Sequence, residues 1–311
     1  VGEALVDFIP AQTGVPLRDV AHYERTIGGA PANVTVGLAR QGVPVGLLTR
    51  VGDDEFGRFL AAALHAEGVD TSRFIFDEQR RTGITFLQID ASGERSFLFF
   101  RMNSAEMGLS VADLNAEYLR GARIVHLGSN TMMRPEGWAA TLEAATIANE
   151  AGHIVSTDPN LRVHMWPSTE ACCEAAQTLI RHAQIVKLND DEAALVTQQQ
   201  DPIEAAQVLS SWGPSLAVVT QGERGCVWRG RWGEGSLPAV TVQTVDTTGA
   251  GDAFVAGMLA VFARSEPNAE GDFAPETVHE AMTTGVALGA AAVTQVGATT
   301  GVPMHSGNTA E

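Results

Sequence analysis

The chain has 311 residues, of which 45% are hydrophobic and 18% charged, with 32 glycines and 13 prolines. That balance excludes a disordered, collagen-like or coiled-coil polymer and leaves room for a large buried core with a small accessory unit. Thirty-seven acidic residues against 20 basic ones give a net charge of −17, which argues against nucleic acid as a partner, because no basic stripe offsets the repulsion from a phosphate backbone.

The first apolar run, Ala4 to Ile9, has strand length, and a helical pattern follows from Ala32 to Gln41. Strand-like and helical segments then alternate: Val45 to Val51, Phe56 to Glu67, Arg123 to Leu127, Trp138 to Ala151 and Ile154 to Thr157. The second half keeps this rhythm with Ile185 to Leu188, Pro202 to Trp212, Leu216 to Thr220, Ala253 to Ala263 and Val278 to Val296. Such alternation predicts βαβ units, hence an α/β fold with a mostly parallel sheet covered by helices. One stretch departs from it. Residues 82–101 alternate with period two around Asp90-Ala91-Ser92-Gly93, as an antiparallel hairpin does. With residues 11–25 this hairpin is expected to form a discontinuous β lid, leaving 1–10, 26–81 and 102–311 as the larger unit, whose tail from Met304 is expected to fray.

Three cysteines, Cys172, Cys173 and Cys226, lack the number for a disulfide framework and the CxxC spacing of a zinc site. The longest apolar run, between Asp252 and Arg264, falls short of a bilayer span, and the first residues carry no basic-then-apolar leader. No membrane association and a cytoplasmic location are the expectations.

The segment most informative about chemistry is Asp246-Thr247-Thr248-Gly249-Ala250-Gly251-Asp252, which runs directly into an apolar helical stretch. First-turn N–H groups lack partners within a helix, so Gly249, Ala250 and Gly251 can wrap an anion such as a phosphate. Asp252 then stands where it could take a proton from a hydroxyl attacking a phosphoryl group. The plainer reading is an acid complementing the helix dipole, and GAGDAF is also a near miss for GxGxxG, with Phe254 in the last slot. Gly28-Gly29-Ala30-Pro31-Ala32-Asn33 opens another helix; Asn33 offers the donors and acceptors a sugar hydroxyl needs, or it caps its own backbone. Asp7 interrupts an apolar strand, an expensive place for an unpartnered carboxylate. Lys187 is the sole lysine among the 20 basic residues, at a strand end that suits a triphosphate contact. Asn189-Asp190-Asp191-Glu192 also has the spacing of a capping box.

In order along nearly the whole chain, GGAPANVTVGLARQG with VGDDEFG, then GERSFLFFR, DPNLR, KLNDDE, TQGERG and DTTGAGDAFVAGML resemble the PfkB (ribokinase-like) carbohydrate kinase family. The resemblance implies a three-layer ribokinase-like sandwich with a small β-sheet lid. It implies an ATP- and magnesium-dependent sugar kinase in which Asp252 is the base and Gly249, Ala250 and Gly251 form the anion hole. Asp7, Gly29 and Asn33 resemble the family's sugar-hydroxyl contacts, and Arg101 resembles an arginine that reaches the sugar, its plainer reading being an exposed lid-edge residue. Asn189 and Glu192 resemble the motif associated with phosphate and hydrated magnesium, with Lys187 beside them, while Thr220, Gly222 and Gly225 resemble a turn at the nucleotide. Asp246, Thr248 and the turn Ala292, Gln295, Gly297 resemble a loop pair that holds potassium in several relatives. The segment Asp158 to Arg162 resembles the fructokinase subgroup and receives no catalytic step.

The wording is most similar to that of bacterial fructokinases, which implies transfer to D-fructose at its 6-hydroxyl and a homodimer through the lid. The segment FFRMNSAE departs from the commoner fructokinase wording and keeps 2-keto-3-deoxygluconate kinase, and then a riboside kinase, as alternatives. A non-catalytic sugar or nucleotide sensor conflicts with the intact anion loop, and a Rossmann dehydrogenase would need a GxGxxG after the first strand. Walker, HRD, DFG and HExxH motifs are missing, and the eight histidines show no ligand spacing.

Overall fold

The computed structural model describes residues 1–12, 14–89 and 95–305. The chain begins with β1 (Leu5–Pro10), β2 (Tyr23–Gly28), α1 (Ala30–Arg40), β3 (Thr49–Gly52), α2 (Glu55–Ala66) and β4 (Phe74–Asp77). The expected hairpin follows as β5 (Ile84–Ile89) and β6 (Arg95–Phe100); its turn, Asp90 to Gly93, lies outside the described residues, as does the end of the tail from 306. Next come α3 (Ala116–Arg120), β7 (Ile124–Leu127), α4 (Pro135–Glu150), β8 (Ile154–Thr157), α5 (Thr169–Ile180), β9 (Ile185–Asn189), α6 (Asp190–Thr197) and α7 (Pro202–Ser211). The chain closes with β10 (Leu216–Thr220), β11 (Cys226–Gly230), β12 (Gly233–Leu237), α8 (Ala250–Arg264) and α9 (Pro275–Ala292). Among the described residues no helix is long and apolar enough to cross a membrane.

The main sheet runs β12-β11-β10-β9-β8-β7, parallel from β7 to β10 and antiparallel at β11 and β12. Its strands alternate their apolar residues between two helical layers. Ile185, Leu216, Val218, Cys226 and Trp228 pack on one side with Val255, Met258 and Phe262 of α8. Val186, Leu188, Ala217, Val219 and Val227 pack on the other with α5, α6 and α7. A third cluster joins β7, β8, α4 and α5.

A second sheet has the order β2-β1-β5-β6, with β1 antiparallel to β2 and parallel to β5. The expectation placed residues 1–10 with the larger unit, whereas β1 runs inside this smaller sheet. It still packs on the larger unit, Val6 against α1 and α2 and Phe8 edge-on to Phe56, and the residues before it reach that unit as well, where Gly2 N donates to Leu48 O. The expected strand from Val45 is shortened to β3, Gly46 making only an isolated bridge to Asp70. The β11–β12 hairpin has no counterpart in the sequence reading, because GEGSL carries no strand-like alternation and is held in register by β11.

Candidate functional site

Two helices bring the site together by close backbone approach. A Cβ built on Gly37 of α1 would lie 2.5 Å from Ala256 Cβ of α8, so the absence of a side chain there lets the helices meet. One turn toward the N-terminus on each helix, residues four positions earlier face the same neighbour. Those residues are Asn33 and Asp252, and Asn33 Nδ2 donates to Asp252 Oδ2 at 2.8 Å. Asn33 therefore does not cap its helix; the cap position is Gly29, whose φ is +97°, and Gly29 O accepts from Asn33 N.

Asp252 lies in the first turn of α8. Burial raises its carboxyl to about 6, against the opposing hydrogen bond from Asn33. Asp7, in the middle of β1, is raised to about 7 by burial, partly countered by the charge of Arg101, while the charge of Asp252 pushes it further up. It is Gly28 that makes room for Asp7: a Cβ there would fall 2.4 Å from the carboxylate. Asn33 Oδ1 is a buried acceptor without a partner among the described residues.

The start of α8 is open. Gly249 takes the left-handed conformation at φ +76° with no side-chain cap, and its position tolerates no Cβ, which would sit 2.2 Å from Ala298 O. Ala250 N is spent on Thr247 O at 3.4 Å and Ala253 N on Gly249 O, which leaves the N–H groups of Gly251 and Asp252 without an acceptor among the described residues. Lys187 reaches them from the sheet. It shares the parity of Ile185, so it rises on the α8 side, and a Cβ on Gly251 would lie 2.8 Å from Lys187 Nζ. The ammonium is 2.9 Å from Asp158 Oδ2 in a pair that is nearly fully buried. Burial works against its charge, but Asp158, Glu192 and Asp252 outweigh that and hold it above the ordinary lysine value.

Asn189 and Glu192 form a complete capping box at the start of α6. Glu192 Oε2 accepts from Asn189 N at 3.1 Å and Oε1 from Leu161 N at 2.7 Å, so this carboxylate also ties down the loop after β8. Burial and the charge of Asp158 raise its pKa. Arg162, at the end of that loop, donates to Leu161 O and lends positive charge to both Asp7 and Asp252.

Thr220 ends β10, and Gly222 (φ +57°) and Gly225 (φ +96°) shape the turn after it, closed by Gln221 N to Gly225 O at 2.8 Å. Nothing stands within 4 Å of a Cβ on Gly222, so this turn faces open space. Asp246 is buried and joins two loops: Oδ1 accepts from Thr248 N at 2.6 Å and Oδ2 from Gly297 N at 2.8 Å. Ala292 ends α9, buried, and Gln295 is exposed.

Arg101 is not an exposed edge residue. It is 3% exposed and paired with Glu106, which is 1% exposed. Asp158, Arg162 and Glu106 carry no role in the sequence reading. Asp158 pairs with Lys187, 29 residues away, and Glu106 with Arg101 around a short 3-10 turn, while Arg162 acts on Asp7 and Asp252 only through its charge, and no local spacing announces such pairings.

A model of the pfkB family of carbohydrate kinases matches residues 1–305. Fructokinase-1 of Oryza sativa subsp. japonica is 40% identical over 304 residues, covering 97% of this chain and 93% of that protein. Among solved structures, fructokinase with bound ATP from Xylella fastidiosa superposes with a TM-score of 0.88 at 34% identity, covering 98% of this chain and 94% of that one. Fructokinase from Vibrio cholerae O395 in its fructose-, ADP- and calcium-bound form gives 0.86 at 32% identity, covering 97% and 94%. The fold is thus ribokinase-like, and a match of this extent makes the chain a member of the pfkB family of carbohydrate kinases, an ATP-dependent sugar kinase.

Proposed function

We propose that the chain transfers the γ-phosphoryl group of ATP to the 6-hydroxyl of D-fructose, giving fructose 6-phosphate. The observation that carries this reading is the Asp252 carboxylate, held on one oxygen by Asn33 at the open start of α8 beside Gly251 and Lys187. A hydroxyl seated against the other oxygen gives its proton to Asp252 as its oxygen bonds to the γ-phosphorus, and the bond from that phosphorus to the bridging oxygen of ADP breaks. Free N–H groups of the first turn, together with Lys187, face the charge on the transferred group. Asp7, Gly29, Asn33 and Arg101 hold the sugar. The turn Thr220 to Gly225 borders the nucleotide, and the β1-β2-β5-β6 sheet serves as the lid that keeps water out.

Magnesium, bound with ATP, would neutralise the charge of the phosphates. Both Glu192 oxygens already accept backbone N–H groups, and among the described residues no group of three or more His, Cys, Asp or Glu side chains could hold a metal ion. Asn189 and Glu192 would accordingly hold the ion through water. The loops tied by Asp246 are the place for an activating potassium, and a homodimer through the lid is supported by Phe97, Leu98 and Phe100, which β6 leaves exposed. The three unpaired cysteines suit the cytoplasm.

A second reading, an acidic acceptor such as 2-keto-3-deoxygluconate, is favoured by a cavity of about 570 Å³ that Arg101, Arg134 and His164 line without any acidic residue. ADP release across fructose, 2-keto-3-deoxygluconate, ribose, adenosine and aminoimidazole riboside, with and without potassium, decides among them. Fructose is expected to give the highest kcat/KM; turnover of none of these sugars would overturn the assignment. Asp7→Ala and Asn33→Ala are each expected to weaken sugar binding about tenfold or more by calorimetry, and unchanged affinity would displace the pocket.

The raised acids set the pH dependence. Asp252 works only when ionised, and its value lies above the ordinary aspartate range, so activity is lost as pH falls through about 6 instead of about 4. kcat/KM for the sugar, which reports the free enzyme, is expected to decline first below about 7 as Asp7 takes a proton, then again below about 6. Asp7→Asn should remove the upper step and leave the lower.

A further inference from the structure

The Arg101–Glu106 pair is half-made. Arg101 Nε donates to Glu106 Oε1 at 3.0 Å, whereas Arg101 Nη2 and Glu106 Oε2, both buried, have no partner among the described residues. Guanidinium and carboxylate ordinarily meet through two parallel bonds, and a buried donor left over costs free energy until something accepts from it. Arg101 also lines the cavity between Phe99–Met102 and His164–Pro167, as does Trp166, whose buried Nε1 likewise lacks an acceptor. Two residues of this lining therefore each keep one buried N–H group without an acceptor among the described residues.

Glu106 touches both roots of the β5–β6 hairpin. Arg101 directly follows β6, and Gly83 directly precedes β5, where a Cβ would lie 2.4 Å from Glu106 Oε1. The short turn that carries Glu106 is anchored in its own right: Ala105 N donates to Arg81 O at 2.8 Å, and Ser104 Oγ to Arg101 O at 2.8 Å. The carboxylate is thus fixed, and the guanidinium is oriented by it.

We propose that Glu106 is a positioning residue that turns the free Nη2 of Arg101 toward the oxygens at the far end of the acceptor sugar, making the pair a determinant of acceptor affinity at the base of the lid. The proposal rests on the sugar-kinase reading of the same pocket. It is tested with whichever acceptor the wild-type protein phosphorylates fastest, so a wrong sugar assignment shows in the wild type and leaves this test intact.

Steady-state kinetics of Glu106→Gln should show acceptor KM raised about tenfold, with kcat and the KM for ATP within about twofold. Gly83→Ala keeps the Arg101–Glu106 chemistry but places a methyl group where the carboxylate stands, so it should raise acceptor KM in the same way, by about threefold or more. In an Arg101→Lys background, which keeps the charge and discards Nη2, neither change should add more than about twofold, because both act through that nitrogen. Rescue by Glu106→Asp to less than half of the Gln defect completes the expected pattern. Additive effects in the Arg101→Lys background, equal losses in the KM for ATP, or an unchanged acceptor KM would each overturn the proposal. Should Glu106→Gln fail to fold, Gly83→Ala with and without Arg101→Lys decides the matter alone.

Discussion

Asp252→Asn is expected to lower kcat by about 10²–10⁴-fold, the range a positioned general base supplies, while sugar affinity by calorimetry stays within about threefold. The amide keeps the shape of the side chain and can still meet Asn33, either accepting from its Nδ2 as the carboxylate does or donating its new N–H to Asn33 Oδ1, which has no partner among the described residues. What it cannot do is take a proton from the attacking hydroxyl. The separation of kcat from binding marks a base; a residue that served only to complement the helix dipole would give a modest loss in stability and little change in turnover. The fall in stability on substitution should itself be small or reversed, since burial disfavours the charged form that Asn removes.

The second large effect belongs to Lys187. Its ammonium and the Asp158 carboxylate are buried together, so Lys187→Met strands a negative charge in the core and is expected to destabilise the fold by about 3–5 kcal/mol. Adding Asp158→Asn removes that stranded charge and should restore most of the melting temperature. Activity should not return with it. The double variant still lacks the cation beside Gly251, so its KM for ATP is expected to remain at least about tenfold above wild type. Recovery of both stability and ATP affinity in the double variant would reduce Lys187 to an ion-pair partner, whereas recovery of stability alone assigns its charge to the nucleotide. Calorimetric melting and ADP release on the same preparations give the two readouts.

Much of this arrangement follows from patterns local to the chain. The alternation of Ile185, Val186, Lys187 and Leu188 fixes which side of a buried strand each residue faces, and α8 covers the side that Lys187 takes. The helix openings at Gly29 and Gly249 are legible because small residues there precede long apolar runs. The meeting of Asn33 with Asp252 could be anticipated only as chemistry, since the contact of Gly37 with Ala256 that creates it joins helices 219 residues apart.

What the sequence does not disclose are partners chosen by tertiary packing. Asp158 reads as part of a loop motif, yet it is the counter-ion of the only lysine. Glu192 reads as a phosphate or metal residue, and its oxygens are found on the backbone of Asn189 and Leu161. Arg101 reads equally as an edge residue, because the turn that buries it lies beyond the hairpin and shows no period of its own. β1 reads as an ordinary strand of the main sheet; its pairing with β2 and β5 depends on long-range register.

The most direct test of Asp252 as the base is a crystal structure with fructose and a non-hydrolysable ATP analogue bound together. The account predicts the sugar's 6-hydroxyl within about 3 Å of Asp252 Oδ1, in line with the γ-phosphate, and that phosphate seated on the N–H groups of Gly251 and Asp252. A carboxylate turned away from the hydroxyl, or a γ-phosphate bound elsewhere than at the start of α8, would contradict it.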